Sequence, residues 1–458
     1  MKLQFIVQSE PGVSRSERRK IRSHVMRGKN AGRPRPTTKK PVGLGHLRRT
    51  ITSWGNGPIA GNSRPNPLLW SDLSLTVFPQ QLDIESTKLM HRWFFDISDA
   101  LFPPRFCTKF DILKSIWADC IQSDAAYFHS TLAICASYVG IYERKPRVST
   151  TALHHISQAY SHVNRTISGP QPTTDNAIAS VVSLVIYQMI HHEYPTGLTH
   201  LNGLYRMIEL RGGIGKLLQE NRGLALKPLR LDLELTLRTG LPSMFQGSAV
   251  FTSNFLDDAE GEGSRRQHFT VSGKASAALL EVTSFSQLLN GLAEDGNQKL
   301  DGIQYTEMVL SLLSRLIACS SYATLSCNNK DRYGSLVYLA LLAFMTTLLP
   351  EYGQDCTSYP LLSDRLEGAI KESHLAAVEI QDPESSLLLW TLFIYRASTP
   401  TEKTCQWLSP LMLETCQRLG LYDWSAVGKE LYQLPWIYCL HDDGAQRMWE
   451  QARTGTFG

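Results

Sequence analysis

The sequence predicts an all-α fold, a large multi-helix body behind a basic, largely disordered N-terminal arm. Three observations carry that expectation. From about residue 82 onward, apolar residues recur three and four apart, the spacing that lines one face of a helix. No run alternates apolar and polar residues as a half-buried strand does, and no solenoid repeat stands out. The charge is uneven. The first fifty residues hold fourteen Lys and Arg against Glu10 and Glu17, which gives +12; with +4 over the whole chain, the remaining 408 residues carry −8. A basic arm on an acidic body calls for an anionic partner for the arm.

The elements follow in order. Residues 1–12 read as extended, with Phe5, Ile6 and Val7 ahead of Pro11 and Gly12. Ser14 and Glu17 have the spacing of a capping box, and Ile21 and Val25 share one face, so a short basic helix is expected near 15–28. Residues 29–69 are rich in Gly, Pro, Asn, Ser and Thr and read as a linker. The arm and linker are placed at 1–81 and the helical domain at 82–458. Helices are expected at 83–101, 109–121, 124–142, 150–167, 173–193, 196–211, 225–238, 274–296, 303–321, 333–349, 361–379, 384–397, 403–419 and 436–452. The polar stretch 253–268 reads as a loop between two helical halves. Leu336 to Leu349 is the longest uncharged, mostly apolar run, short of the ~20 residues a membrane span needs, so it is expected to be a buried helix and no membrane contact is expected. The apolar patch from Leu3 to Val7 is too short for a secretory signal.

The chemistry-bearing patterns are sparse. There is no G-x-S-x-G, no H-E-x-x-H and no kinase signature. Gly215-Lys216 lacks the flanking residues of a phosphate loop. Gly212 and Gly213 read instead as the stop of the helix ending at Arg211. His191, His192, Glu193 and His200 have the residue types of a metal site, but adjacent histidines point to different helix faces and Pro195 interrupts the segment. They read as helix-end residues, as do His154 and His155. Trp390, Trp407, Trp424, Trp436 and Trp449 are assigned to helix packing. Nine cysteines without C-x-x-C spacing imply no disulfide framework. No catalytic residue, metal ligand or cofactor is expected, and the chain is not expected to be an enzyme.

The arm offers two basic elements. One is the helix carrying Arg18, Arg19, Lys20, Arg22 and Arg27. The other is Gly32-Arg33-Pro34-Arg35-Pro36, followed by Lys39 and Lys40. The second resembles an AT-hook, whose Gly-Arg-Pro core lies in the narrow A·T minor groove, where negative potential favours arginine. Ala31 stands where that motif has an arginine. The same cations suit a nuclear import receptor, so the arm is expected to contact DNA or such a receptor.

The stretch His200-Leu201-Asn202-Gly203-Leu204-Tyr205-Arg206-Met207-Ile208-Glu209-Leu210-Arg211-Gly212-Gly213 resembles the H-L-x-G-x-x-x-M-I-x-x-R-G-G block of fungal-specific transcription factor domains. Other blocks are similar in the same order. They are Leu89 to Pro104, Phe128 to Gly140, Asp232 to Pro242, and Pro435-Trp436-Ile437 with Trp449-Glu450, so the resemblance spans about 82–452. Phe5-Ile6-Val7, Pro11 and Ile21 to Met26 are similar to the opening of one branch of that family. The resemblance implies a helical regulatory domain, a nuclear location and a role in transcription regulation through protein partners. The better-known members also carry a binuclear zinc cluster built on six closely spaced cysteines. This sequence has no cysteine before Cys107, so that DNA reader is not carried over. A second reading follows, a scaffold protein that keeps the regulatory fold without binding DNA. In the signature block His200, Gly203, Arg211, Gly212 and Gly213 are given structural roles. Leu201, Leu204, Tyr205 and Ile208 form a core stripe, and Gly203 is expected to permit close helix approach. The oligomeric state stays open.

Overall fold

The computed structural model describes residues 77–94, 102–108, 116–142, 148–246, 273–296, 298–320, 322, 332–349, 359–376, 382–399 and 402–454. The chain divides into two units, Met1–Thr50 and Ile51–Gly458. The first unit, the expected helix near 15–28, the linker and the expected loop at 253–268 lie outside the described residues.

Sixteen helices and no strand are found among the described residues, so the all-α expectation holds. The first eight are α1 (Ile84–Arg92), α2 (Ile116–Ser123), α3 (Ala125–Tyr142), α4 (Thr150–Ile167), α5 (Asp175–Ile190), α6 (Tyr194–Arg211), α7 (Ile214–Glu220) and α8 (Arg222–Thr239). The second eight are α9 (Gly273–Asp295), α10 (Gly302–Ser320), α11 (Arg332–Thr346), α12 (Pro360–Ala376), α13 (Asp382–Ser398), α14 (Glu402–Arg418), α15 (Trp424–Leu431) and α16 (Tyr438–Thr454). None is long and apolar enough to cross a membrane.

Local chemistry fixes where many of these helices begin. The side chains of Asp83, Ser149, Thr174, Asn221 and Asp423 each accept a hydrogen bond from the backbone N–H three residues on, opening α1, α4, α5, α8 and α15. Asp124 does the same for Tyr127 at 2.7 Å at the start of α3 and also accepts from Ser180 Oγ on α5 at 2.9 Å. One residue therefore starts a helix and fixes its neighbour.

Two helices are buried nearly all round. In α5, thirteen of sixteen residues are buried; in α8, thirteen of eighteen. Each fully buried Leu or Ile contributes about 1.5–3 kcal/mol of transfer free energy, so these helices anchor the core. α3, α4, α5 and α6 pack on one another, and α11, α12 and α13 form a second group. α8 touches both, packing on α5, α6 and α7 on one side and on α10 and α12 on the other. The segment before α2 is tied to the one before α10 by a parallel bridge. Thr108 N–H donates to Leu300 O at 2.9 Å, and Leu300 N–H to Phe106 O at 2.8 Å.

The tryptophan-rich C-terminal quarter is core, as the sequence indicates. Trp390 and Trp436 are buried, and Trp390 Nε1 donates to Pro435 O at 2.8 Å. Asn290 on α9 grips the Pro435–Tyr438 turn from both sides. Its Nδ2 donates to Trp436 O at 2.8 Å, and its Oδ1 accepts from Tyr438 N–H at 3.1 Å. The run from Leu336 to Leu349 is buried in and just beyond α11, with Thr346 and Thr347 half-buried. Two short helices, α7 and α15, are absent from the sequence reading.

Replacing Asn290 by Ala leaves the Trp436 carbonyl and the Tyr438 N–H without their partner in a dry site. The expected loss is about 2–3 kcal/mol of stability. A urea titration followed by circular dichroism measures it, and the same change at exposed Asn202 is expected to cost a few tenths of that.

Candidate functional site

The signature block forms α6 and the turn that ends it. Pro195 sits in the first turn, where its missing N–H costs nothing. Leu201, Leu204 and Ile208 are fully buried and Tyr205 lies half-buried against them, so the predicted stripe is the core face. Gly212 and Gly213 end the helix with φ of 114° and 88°. Gly213 N–H reaches back to Ile208 O at 2.9 Å and Gly212 N–H to Glu209 O at 3.0 Å, the paired bonds of a Schellman stop. A Cβ at Gly212 would also meet Lys216 Cδ at 2.8 Å.

The turn aims Arg211 at two other helices. Its guanidinium pairs with Asp175 at the start of α5, donates to Thr173 O at 3.3 Å, and bonds Glu220 at the end of α7 at 2.8 Å. Asn221 closes the ring. Its Nδ2 donates to Asp175 Oδ2 at 2.9 Å while its Oδ1 caps α8. The signature arginine and Asn221 together thus form a corner joining α5, α6, α7 and α8. The sequence reading placed it against the helix dipole and missed Asp175, Glu220 and Asn221.

Gly203 is a correction. It is exposed, and a Cβ there would meet nothing within 4 Å, so it permits no close helix approach. His200 stacks on Tyr160 with ring centroids 5.7 Å apart. The Tyr160 hydroxyl in turn accepts from Gln188 Nε2 at 2.5 Å. Burial lowers the His200 pKa, which keeps the ring neutral.

The Asp232 to Pro242 block is equally structural. Asp232 on α8 is buried and accepts from Ser243 Oγ at 2.6 Å, Met244 N–H at 3.0 Å and Phe245 N–H at 3.1 Å. Burial raises its pKa, while these three donors pull the other way. Gly240 lets the chain leave the helix at φ 73°, where a Cβ would meet Leu361 of α12 at 2.9 Å. The turn returns Phe245 onto Tyr205 of α6, with ring centroids 5.3 Å apart.

The histidines take separate partners. His191 Nε2 bonds Ser137 Oγ at 2.9 Å and His192 Nδ1 bonds the Tyr194 hydroxyl at 2.9 Å. No group of three or more His, Cys, Asp or Glu among the described residues is placed to hold a metal ion. A histidine pair does appear where the sequence showed none. His129 Nδ1 of α3 lies 3.0 Å from His155 Nδ1 of α4, with His162 stacked on His129 at 5.7 Å. One ring of the pair must donate and the other accept, so the accepting ring is neutral. Burial and the neighbouring histidines push His129 down to about 4, and burial also lowers His155. The basic residues Arg18, Arg19, Lys20, Arg22, Arg27, Arg33, Arg35, Lys39 and Lys40 lie outside the described residues.

Residues 105–236 match the model of the fungal specific transcription factor domain. The match runs from just before α2 to most of α8 and contains the whole Arg211 corner, so the resemblance is borne out over 132 of 458 residues. No curated protein and no solved structure matches the chain.

Arg211→Ala is expected to cost about 1–2 kcal/mol, a charge-assisted network discounted for its partial exposure, and Arg211→Lys to recover less than half. Urea midpoints of the two variants check this. Stability is also expected to fall on acidification. A histidine whose folded pKa is depressed leaves the unfolded state binding more protons, so stability is full above about pH 6.5 and drains as pH falls toward the folded value near 4. His129 alone contributes on the order of 2 kcal/mol to that loss. Urea midpoints at several pH values, compared with those of His129→Gln, measure the share that belongs to the pair.

Proposed function

We propose that this protein is a nuclear transcription regulator whose helical body works by contacting other proteins and whose basic arm contacts DNA or an import receptor. The observation that carries the reading is the transcription-factor-domain match over residues 105–236 in a chain whose first fifty residues carry +12. Charge of that density lends itself to phosphate backbones, and Arg33 and Arg35 suit a narrow minor groove. Arg18, Arg19, Lys20, Arg22, Arg27, Lys39 and Lys40 would supply sequence-independent contacts. The body contributes no reaction step in this reading. Arg211 and Asp232, its most engaged charged groups in the matched segment, hold helices and turns together.

A second reading is supported by the lack of any cysteine before Cys107. The chain would then be a scaffold recruited by DNA-bound partners, reading no sequence itself.

Chromatin occupancy in the native cell separates the two. The intact protein is compared with one in which residues 1–60 are replaced by an unrelated import signal. Peaks over a shared motif that vanish on replacement support the arm as a DNA reader. Peaks that survive replacement support recruitment through the body. A body that stays outside the nucleus with the arm intact overturns the nuclear reading. For an arm that binds duplex DNA, affinity is expected to fall steeply with salt, the logarithmic slope being about −0.9 per phosphate neutralised.

A further inference from the structure

α9 runs from Gly273 to Asp295, and one side of it is packed. Leu279, Val282, Phe285 and Leu289 are buried there, and the helix meets α10, α11 and α16. The other side carries Leu280 and Leu288, 49% and 38% exposed. A lone exposed leucine calls for no explanation. These two belong to an ordered face, because Ala277, Ser284 and Gly291 are exposed beside them. At 3.6 residues per turn the five fall within about 80° of arc, along about 20 Å of helix. Ser284 Oγ donates to Leu280 O of its own helix at 3.0 Å, so its hydroxyl asks for no outside partner.

The face reads the same from either end. Ser284 is its midpoint. Leu280 and Leu288 lie four residues to either side of it, Ala277 and Gly291 seven, and Lys274 and Glu294 ten. Size is mirrored about the midpoint, and charge is reversed. Lys274, Glu294 and Asp295 are all exposed. Each also stands at the wrong end of its own helix. Lys274 is in the first turn, where the helix dipole is positive, and Glu294 and Asp295 are in the last, where it is negative. A single copy of α9 gains nothing from that arrangement. Two copies laid antiparallel do. A two-fold axis at Ser284 sets each Leu280 level with Leu288 of the other copy and each Ala277 level with Gly291, small against small, so the helices can approach closely. It also sets each Lys274 level with Glu294 and Asp295 of the other copy, and each positive helix start beside a negative helix end.

We propose that the exposed face of α9 is a self-association surface, docking antiparallel on the same face of a second copy of this chain. One pair of helix faces of this length buries less than a standard protein interface, so the dissociation constant is expected to be on the order of micromolar.

The test is sedimentation equilibrium of the full chain from about 1 to 100 μM, a range that brackets that affinity. A reversible monomer–dimer equilibrium is expected. Leu288→Glu puts two carboxylates into the apolar centre and is expected to weaken association about tenfold or more. Lys274→Glu is expected to weaken it about threefold, and adding Glu294→Lys and Asp295→Lys to restore it. Mild oxidation of Ser284→Cys is expected to join two copies through the introduced thiols, identified by peptide mass spectrometry. Leu288→Cys, whose two thiols would lie about 12 Å apart along the helix, is expected not to cross-link to itself. Should Leu288→Glu fail to fold, the cross-linking pair still decides. A chain that stays monomeric throughout leaves the face to a different protein and overturns the proposal. So does a dimer that Leu288→Glu leaves intact, or thiol pairing at position 288 with none at 284.

Discussion

Burying α8 is the constraint from which the rest of the body follows. A helix covered on nearly all sides satisfies its own backbone, but any charge it carries must find a partner inside the protein. α8 carries several. Arg230 and Glu234 satisfy each other along the helix, and Asp232 gathers three donors from the turn that follows. That turn then cannot wander, and it delivers Phe245 to α6 and Gly240 to α12. The two groups of helices meet on α8 because its charges dictate what surrounds it.

The Arg211 corner solves a related problem at the edge. Four helix ends converge there, and helix ends carry unpaired backbone groups and partial charges of both signs. A planar guanidinium with several donors serves two carboxylates and a carbonyl at once, which a single ammonium cannot do. The motif R-G-G follows from this geometry. The arginine needs a helix that stops abruptly, and the left-handed turn after it takes glycine at no cost.

Much of the fold was legible because helical periodicity is local. Caps such as Ser149, Thr174 and Asp83 precede apolar repeats and mark boundaries within a residue or two. α7 and α15 were missed because seven or eight residues are too few to establish a repeat, and Gly215 inside α7 argues against a helix at all. The start of α8 was placed three residues late, because Asn221 follows another helix without the usual intervening loop. The site was less legible. Arg211 was singled out, but its partner Asp175 lies 36 residues away, and His129 and His155 are separated by 26. Those pairings are set by how α3, α4, α5 and α6 pack, and no local pattern encodes them. Gly203 erred in the other direction, a small residue read as a contact where the structure has open solvent.

The reach of α8 has a practical side. The matched segment stops at Thr236, three residues short of the helix end at Thr239 and before the turn that Asp232 holds. A fragment cut at that boundary would keep the four-way corner yet lose Ser243, Met244 and Phe245, stranding a carboxylate and opening the apolar faces that α10 and α12 cover. Sequence similarity and autonomous folding therefore part company inside one helix: the smallest piece able to stand alone must run well past the recognisable one.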